Sequence, residues 1–274
     1  DGSSGSSGGK DGGGDSADGS SSGGPLCGST FQTTGAATVG LLKSPFSLSD
    51  DELVAAWADG AEPNVVVHYA ERTKRTDAFV EVGTLTNADG TFALERPVLE
   101  SRGYDLGMID QKRQDWHLFS RQSRGTTFAR SGKNIFVNLI DFAHNLQAGE
   151  LLHDPVWSGG GRTMVFGVAT KGIYVSDAIL GADDFAAPVV FSQKAELQVQ
   201  GGSRRRPSGM SSDKLTFLYY DEVASQSKVA ARTSAAADFT TFTSLGSITD
   251  AKVGAGCKAI YFADGGVVKV ATLP

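Results

Sequence analysis

Five segments of the chain share one layout, and this repeat constrains the fold more than any other feature of the sequence. In each segment a proline follows a polar residue, a turn rich in Ser or Gly comes next, and an apolar strand ends the unit. The segments are SPFSLSDDELVAAW, RPVLESRGYDLGMI, DPVWSGGGRTMVF, RPSGMSSDKLTFLYY and DAKVGAGCKAIYF, the last with Ala251 in place of proline. The apolar strand residue follows this position after 11 or 12 residues in all five units.

Each unit continues with further strand-like runs. A third strand is indicated by VVVHYAE, WHLFSR, IYVSD, KVAART and VVKVATL. In the first four units a phenylalanine then opens a fourth strand, at Phe79, Phe128, Phe185 and Phe239. The run SDDELVAAWAD has a helix-like pattern, but its alignment with the other units predicts a turn followed by a strand. Four strands per unit at a period of about 50 residues predict an all-β, five-bladed β-propeller.

The propeller is expected to span residues 26–274, with blades that start near residues 44, 96, 154, 206 and 250. The fifth unit has only three strands before the sequence ends at Pro274. The run STFQTTGAATVGLLK carries Phe31 14 residues before Pro45, much as Phe239 precedes Ala251 by 12. We therefore expect residues 26–42 to supply the fourth strand of the last blade, which closes the ring and removes a free sheet edge.

Residues 1–25, DGSSGSSGGKDGGGDSADGSSSGGP, are nearly all Gly, Ser and Asp. Such a segment has too little apolar surface to offset the entropy lost on ordering, so we expect a disordered tether. Its composition leaves two interpretations open. The segment is either a linker with no further role, or a spacer that holds the folded domain off a surface. The second arrangement occurs in bacterial lipoproteins, where a lipidated cysteine would directly precede Asp1.

The balance of charges limits the classes of partner. The formal net charge is −6 and the pI is about 5.2, whereas nucleic acids and anionic membranes require a basic surface. No run approaches the roughly 20 apolar residues of a membrane helix, so we expect a soluble chain. The sequence shows no signal peptide, and a targeting segment is expected to have been removed before Asp1. We expect a monomer without a cofactor, whose ligand is a protein or a polysaccharide.

The third unit also resembles a known family. PVWSGGGRTMVFGVATKGIYVSD is similar to the TolB-type, WD40-like β-propeller repeat, whose pattern is Pro, an aromatic residue, Ser, a Gly-containing turn, an apolar strand and Ile-Tyr-Val. FSLSDDELVAAW and GMSSDKLTFLYY resemble the same pattern, and the resemblance extends over residues 44–274. It implies a propeller found in periplasmic, secreted or surface proteins with many different partners. Fold alone does not imply an activity.

A second resemblance concerns HDP, residues 153–155, followed by GIYVS. This pattern is similar to the arabinanase-like glycoside hydrolases of family 43, which are five-bladed propellers with carboxylates from three successive blades. One carboxylate protonates the leaving oxygen while another activates water. The resemblance implies Asp154, Asp250 and Glu95 as the catalytic groups. The sequence departs from it at Arg206, where the next blade requires an acid, and at Glu95, which lies one residue out of register.

Other chemical motifs are missing from the sequence. The four histidines have no metal-binding spacing, and His68 and His117 fall in third strands, where a hydrogen-bonded or solvent-facing histidine is the simpler interpretation. RSGKN lacks the spacing of a phosphate-binding loop, GAGCKA is not followed by a helical pattern, and no GxSxG serine motif occurs. We therefore expect no metal site.

The repeat places a set of polar residues around one mouth of the central channel, because the first strand of every propeller blade lines that channel. The residue directly before the repeat proline, or before Ala251 in the fifth unit, is in blade order Ser44, Arg96, Asp154, Arg206 and Asp250. One position earlier stand Lys43, Glu95, His153, Arg205 and Thr249. Arg and Asp side chains in a ring either neutralise one another as structural ion pairs or form a polar ligand pocket. The predicted binding residues at this mouth are Ser44, Arg96, His153, Asp154, Arg205, Arg206 and Asp250.

The two cysteines come from opposite ends of the chain. Cys27 precedes the closing strand, and Cys257 lies at the turn before the second strand of the blade that this strand completes. We expect a disulfide between them, which implies an oxidising compartment; two unpaired thiols are the alternative. Together these features predict an extracytoplasmic, non-enzymatic binding or scaffold module in the periplasm, on the outer-membrane surface or secreted. The alternative is a carbohydrate-active enzyme with Asp154 as a catalytic carboxylate.

Overall fold

The structure is a computed structural model that describes residues 33–60, 64–86, 95–110, 114–133, 135–158, 161–180, 184–199 and 204–272. The predicted tether of residues 1–25, together with Cys27 and Phe31, lies outside these described residues. Within them, no helix is long and apolar enough to cross a membrane.

The described residues form a first short strand, β1 (Ala37–Thr38), and five consecutive groups of strands. Blade 1 contains β2 (Phe46–Leu48), β3 (Val54–Asp59), β4 (Val66–Glu71) and β5 (Val80–Thr86). Blade 2 contains β6 (Glu95–Leu99), β7 (Asp105–Asp110), β8 (Asp115–Ser120) and β9 (Ala129–Arg130). Blade 3 contains β10 (Leu152–Ser158), β11 (Thr163–Val168), β12 (Gly172–Asp177) and β13 (Val189–Val190). Blade 4 contains β14 (Arg205–Met210), β15 (Thr216–Asp221), β16 (Gln226–Ala231) and β17 (Thr241–Gly246). Blade 5 contains β18 (Thr249–Val253), β19 (Ala259–Asp264) and β20 (Val267–Thr272).

The blades form a ring. Every sheet has four antiparallel strands, in sequential order in blades 1 to 4. The first strands contact one another in the order β2, β6, β10, β14, β18 and back to β2, so they surround a common axis. The all-β, five-bladed propeller predicted from the repeat, and implied by the resemblance to TolB-type repeats, is confirmed.

The N-terminal strand completes the last blade, as predicted. In β1, Ala37 is paired with Val270 and Thr38 with Lys269 of β20. One further backbone bond, from the amide of Val39 to the carbonyl of Val268, extends the pairing at 2.8 Å. Within the described part of the predicted segment 26–42, the regular strand is therefore only two residues long. The end of that segment is also anchored by Leu42, which is buried between blades 5 and 1.

The second strand of each blade is buried on both faces, which explains its uninterrupted apolar sequence. In β3, Val54 and Ala56 pack toward blade 2, whereas Ala55 and Trp57 pack toward blade 5. Alternate residues of a strand point to opposite faces, so one strand contributes to two cores. Five such cores are present among the described residues, one at each interface between neighbouring blades.

One helix was not anticipated from the sequence. Helix α1 (Val137–His144) lies in the connection between blades 2 and 3. Leu139 and Ala143 of the helix, with Phe136 just before it, are buried in the core between these blades. The described part of this connection ends at Leu151, after which β10 begins at the channel.

Candidate functional site at the channel mouth

The first strands begin at one mouth of the channel, and a cavity of about 220 Å³ opens there. The residues that line it come from four of the five first strands, from the chain just before β2 and, through Tyr220, from β15. They are Ser44, Pro45, Arg96, Asp154, Arg206, Pro207, Ser208, Tyr220, Thr249 and Asp250. All five residues predicted from the position before the repeat proline are therefore brought together in one cavity.

Three of these residues lie at the same kind of backbone irregularity, which sets the direction of their side chains. Arg96, Asp154 and Asp250 have φ values of +49°, +49° and +48°, in the left-handed region. At the same places the pairing of the first strand with the second shifts its register. Such a bulge redirects a side chain at the rim of a sheet. A left-handed conformation costs a non-glycine residue about 1 kcal/mol or more, and this strain is concentrated at functional sites.

Asp154 is the centre of the polar cluster and is 7% exposed. Its Oδ1 accepts hydrogen bonds from Nη1 of Arg96 and from Nη2 of Arg206, the latter at 3.1 Å. Its Oδ2 accepts from Nε of Arg206 at 2.8 Å and from Nδ1 of His153 at 2.9 Å. Arg206 thus binds the carboxylate with two nitrogens, the geometry for which a guanidinium is best suited. Both carboxylate oxygens are occupied by neighbouring side chains.

His153 supports Asp154 from inside blade 3 and does not line the cavity. Its ring lies over Gly167, the residue opposite it on β11. A Cβ atom at Gly167 would come within 2.0 Å of the ring, so only glycine leaves room for this histidine. Burial, together with the charges of Arg204, Arg206 and Arg96, lowers the pKa of His153 to about 3. The imidazole is therefore neutral near pH 7 and donates its Nδ1 proton to Asp154.

Asp250 forms the second acidic position of the mouth. It accepts a hydrogen bond from the hydroxyl of Ser44, which joins blade 5 to blade 1 at the cavity. Thr249 also lines the cavity. Lys43 is directed to Asp59 in blade 1, where both side chains are about half exposed.

Arg205 was predicted at the mouth, but its side chain lies elsewhere. It is 3% exposed and forms an ion pair with Asp221 of β15 at 2.7 Å. Its Nε donates to the backbone carbonyl of Glu196 at 3.0 Å, between blades 3 and 4. Neighbouring residues of a strand point to opposite faces. The side chain of Arg205 therefore lies between blades 3 and 4, whereas that of Arg206 lines the mouth cavity. For Glu95 the structure describes the backbone, which pairs with Ile109 in blade 2.

Three residues that the sequence analysis missed complete the channel wall: Ser208, Tyr220 and Lys252. Ser208 and Lys252 lie two residues after Arg206 and Asp250, and alternation along the first strands would have identified them. Nζ of Lys252 donates to the carbonyl of Ser208 and lies 5.9 Å from the ring centre of Phe46. Burial lowers the pKa of Lys252 to about 8, while Asp250 raises it and Arg96 lowers it.

A second, smaller cavity of about 30 Å³ lies further along the first strands. Ser208 lines both cavities, and Lys252 lines the smaller one together with Asp50, Trp157 and Met210. The polar mouth therefore narrows into a channel whose walls become more apolar. Only a small ligand, or a small group that projects from a larger ligand, could enter this channel.

Of the three histidines outside this site, His117 lies 3.4 Å from Nη2 of Arg130, and the other two each contact a carboxylate. Nδ1 of His68 lies 2.9 Å from Glu81, and Nε2 of His144 lies 3.0 Å from Asp115. In the part of the chain that the structure describes, no group of three or more His, Cys, Asp or Glu side chains is arranged to hold a metal ion.

Comparisons with known proteins assign neither a family nor an activity to this chain. No family model matches the sequence, and no curated protein matches it. Among solved structures, TolB from Acinetobacter baumannii is 10% identical with a TM-score of 0.45, over 83% of this chain and 52% of that one. A candidate 6-phosphogluconolactonase from Bacteroides fragilis is 12% identical with a TM-score of 0.44, over 83% and 66% of the respective chains. Hydrazine synthase from Kuenenia stuttgartiensis is 13% identical with a TM-score of 0.43, over 85% and 58%. This chain thus spans between half and two thirds of the proteins it resembles, and the similarity assigns no activity to it.

Proposed function

We propose that this propeller is a non-enzymatic binding or scaffold module whose protein or polysaccharide ligand engages the polar channel mouth. The observation that carries the proposal is the state of Asp154. A general base needs a carboxylate lone pair directed at water or substrate, whereas both oxygens of Asp154 accept bonds from Arg96, Arg206 and His153. The same guanidiniums are 25% and 32% exposed, so they remain accessible to a ligand in the cavity.

Binding to glycan and peptide arrays tests this proposal. The parent protein is expected to bind a defined subset of spots. Arg206→Gln, which changes a cavity residue, should lose that binding, and Arg204→Gln should keep it. Arg204 is the matched control because it is exposed, lies two residues away in sequence and is not part of the cavity lining. Background signal for the parent protein on both arrays would contradict the proposal.

A second candidate is a glycoside hydrolase, which one observation favours: Asp154 and Asp250 line the same cavity. Paired carboxylates are what glycoside hydrolysis requires. Turnover of arabinan and xylan substrates by the parent protein, Asp154→Asn and Asp250→Asn separates the candidates. We expect no turnover in any of the three. Activity in the parent protein that disappears in a folded Asp154→Asn variant would establish the hydrolase instead.

The extracytoplasmic location is also part of the proposal, and it is supported by the Gly/Ser-rich segment 1–25 and by the two cysteines. Cys257 ends a short 3-10 turn (Ala255–Cys257) that precedes β19. Cys27 lies outside the described residues, so its pairing with Cys257 stays a prediction. Mass spectrometry of the unreduced protein should find no alkylatable thiol and one cross-linked peptide pair. Two free thiols would refute the disulfide and remove the main support for an oxidising compartment.

A further inference from the structure

We propose that the channel mouth binds a small monocarboxylate through Arg206, Lys252 and Ser208. This inference rests on the proposed function, because it identifies the ligand chemistry of the same cavity. Three observations carry it independently of one another: the distribution of charge, two unused hydrogen-bonding groups, and the size of the cavity.

Among the described residues, the lining of the mouth cavity and Lys252 together bring three cations against two carboxylates. Arg96 and Arg206 balance Asp154 and Asp250, which line the same cavity. Lys252 adds a further cation from the channel wall, and the charges that act on it are those of Asp250 and Arg96. Asp50 lines the smaller cavity together with Lys252, but the charges that act on Lys252 do not include that of Asp50. A ligand with a single negative charge would neutralise the mouth, since opposite charges in a partly dehydrated site attract strongly.

Two polar groups at the cavity have no hydrogen-bond partner among the described residues. The hydroxyl of Ser208 is buried and unpaired, although Ser208 lines both cavities. Buried hydroxyls are nearly always paired, so an orphan beside a cavity marks the place of a missing acceptor. Arg206 binds Asp154 through Nε and Nη2, and Nη1 forms no bond to any described residue. A carboxylate could accept from both groups.

The cavity limits the size and shape of the ligand. Its volume of about 220 Å³ is below the range of roughly 300–1,000 Å³ that is typical of pockets for drug-sized ligands. Guanidinium nitrogens lie in one plane and match the two coplanar oxygens of a carboxylate. A phosphate dianion would bring more negative charge than the single surplus cation balances. A short-chain carboxylic acid satisfies all three conditions.

Isothermal titration calorimetry with sodium acetate at pH 7 tests the inference on the full chain. Acetamide is the neutral control of the same shape, and inorganic phosphate is the anionic control. We expect saturable binding of acetate at one site, with no saturable binding of acetamide and at least tenfold weaker binding of phosphate. Equal binding of acetate and acetamide, or tighter binding of phosphate, would overturn the assignment to a carboxylate.

Variants locate the site. Arg206→Gln should weaken acetate binding at least about tenfold, as expected for loss of a charged hydrogen bond. Ser208→Ala should weaken it several-fold without loss of folding, because the hydroxyl it removes has no partner within the described residues. Arg204→Gln should leave the affinity unchanged. Unchanged affinity in Ser208→Ala, or equal weakening in Arg204→Gln and Arg206→Gln, would place the carboxylate elsewhere.

The contribution of Lys252 can be measured through pH. Its ammonium loses a proton around pH 8, so acetate affinity should fall between pH 7 and pH 9 in the parent protein. The same fall should be absent in Lys252→Met. The charged and titratable groups that line the channel around it are Asp50, Arg96, Asp154, Arg206, Tyr220 and Asp250. An identical pH profile for parent and Lys252→Met would show that Lys252 does not contact the carboxylate.

Failure of this inference can be distinguished from failure of the proposed function. A protein that binds an array ligand but no acetate retains its function as a binding module and loses the carboxylate assignment. Binding of acetate without binding of any array ligand would support the carboxylate site. The proposal of a protein or polysaccharide ligand would then be wrong.

Discussion

Asp154 accepts hydrogen bonds from three side chains, and this determines what a substitution there does. Asp154→Asn would leave Arg96 and Arg206 without a carboxylate and place an amide group against their donors. Loss of one partner from a buried ion pair costs about 3–5 kcal/mol, and we expect the lower end because both arginines are partly exposed. Urea unfolding measures the change in the free energy of unfolding.

Asp264→Asn is the matched control for that experiment. Asp264 binds Lys269 at 2.7 Å in blade 5, but its side chain is 50% exposed. Exposed ion pairs contribute under about 1 kcal/mol, so this variant should unfold at nearly the parent urea concentration. Equal losses in the two variants would mean that the arginines at the channel mouth do not depend on Asp154.

His153 should remain neutral through the range in which a histidine usually titrates. Its folded-state pKa of about 3 lies well below the ordinary histidine value of 6.5. The unfolded chain therefore binds the extra proton first, and His153 makes the protein less stable as the pH falls from 6.5 toward 3. Proton and nitrogen NMR shifts of this ring should stay constant from pH 5 to pH 8. A midpoint near 6.5 would contradict the buried, neutral state.

At the scale of residues, the repeat alone predicted five of the residues that line the mouth cavity, because a propeller turns equal sequence positions into neighbours in space. It could not show that Arg205 binds Asp221, since the face on which a side chain lies depends on the local bulge. It also missed Lys252 and Ser208, which follow the repeat position and were treated as ordinary strand residues. The hydrogen bonds that occupy Asp154 had no signal in the sequence.

At the scale of elements, three arginines each join parts of one blade. Arg72, Arg121 and Arg232 stand seven residues before Phe79, Phe128 and Phe239. Each guanidinium lies 4.4–4.8 Å from the ring centre of that phenylalanine. Each Nε also donates to a backbone carbonyl in the turn between the first two strands. The phenylalanines were predicted as the start of fourth strands, and the structure shows that they also anchor these arginines.

Arg121 provides the test of this arrangement. Its side chain is fully buried and also forms an ion pair with Glu71 in blade 1. Arg121→Ala is expected to lower the free energy of unfolding by about 3–5 kcal/mol, because it removes the side-chain donor to the carbonyl of Gly103 and the cation beside the Glu71 carboxylate. Arg102→Ala, whose side chain is 77% exposed beside Glu100, should cost under about 1 kcal/mol. Thermal unfolding followed by circular dichroism compares them, and equal melting temperatures would contradict the anchoring role.

Helix α1 shows why one element was missed. Its sequence, VNLIDFAH, is only eight residues long and has no side-chain cap at its N-terminus. A helix this short is not stable alone and depends on burial of Leu139 and Ala143 between blades 2 and 3. Such an insertion carries no repeat signal, because the other units have no counterpart that aligns with it. The strands were predictable for the opposite reason, since five copies reinforced one pattern.

At the scale of the whole molecule, closure of the ring depends on β1. Deletion of residues 1–25 should leave the melting temperature nearly unchanged. Deletion of residues 1–42 should unfold or oligomerise the protein, because β20 then exposes its edge and Leu42 is lost from the core between blades 5 and 1. Calorimetry with size-exclusion chromatography measures both effects. Equal melting temperatures for the two truncations would contradict closure by this strand.

The short pairing between β1 and β20 also determines how the protein would respond to mechanical load. Within the described residues, a pull on the N-terminal arm reaches a sheet first through β1, whose two regular residues are both exposed. This strand would therefore detach before any other sheet contact is stressed. A disulfide bond between Cys27 and Cys257 would transmit the tension directly to the turn before β19 and so bypass β1. The predicted disulfide would then keep the ring closed under a pulling force. Its reduction would allow the ring to open at β1 under the same force.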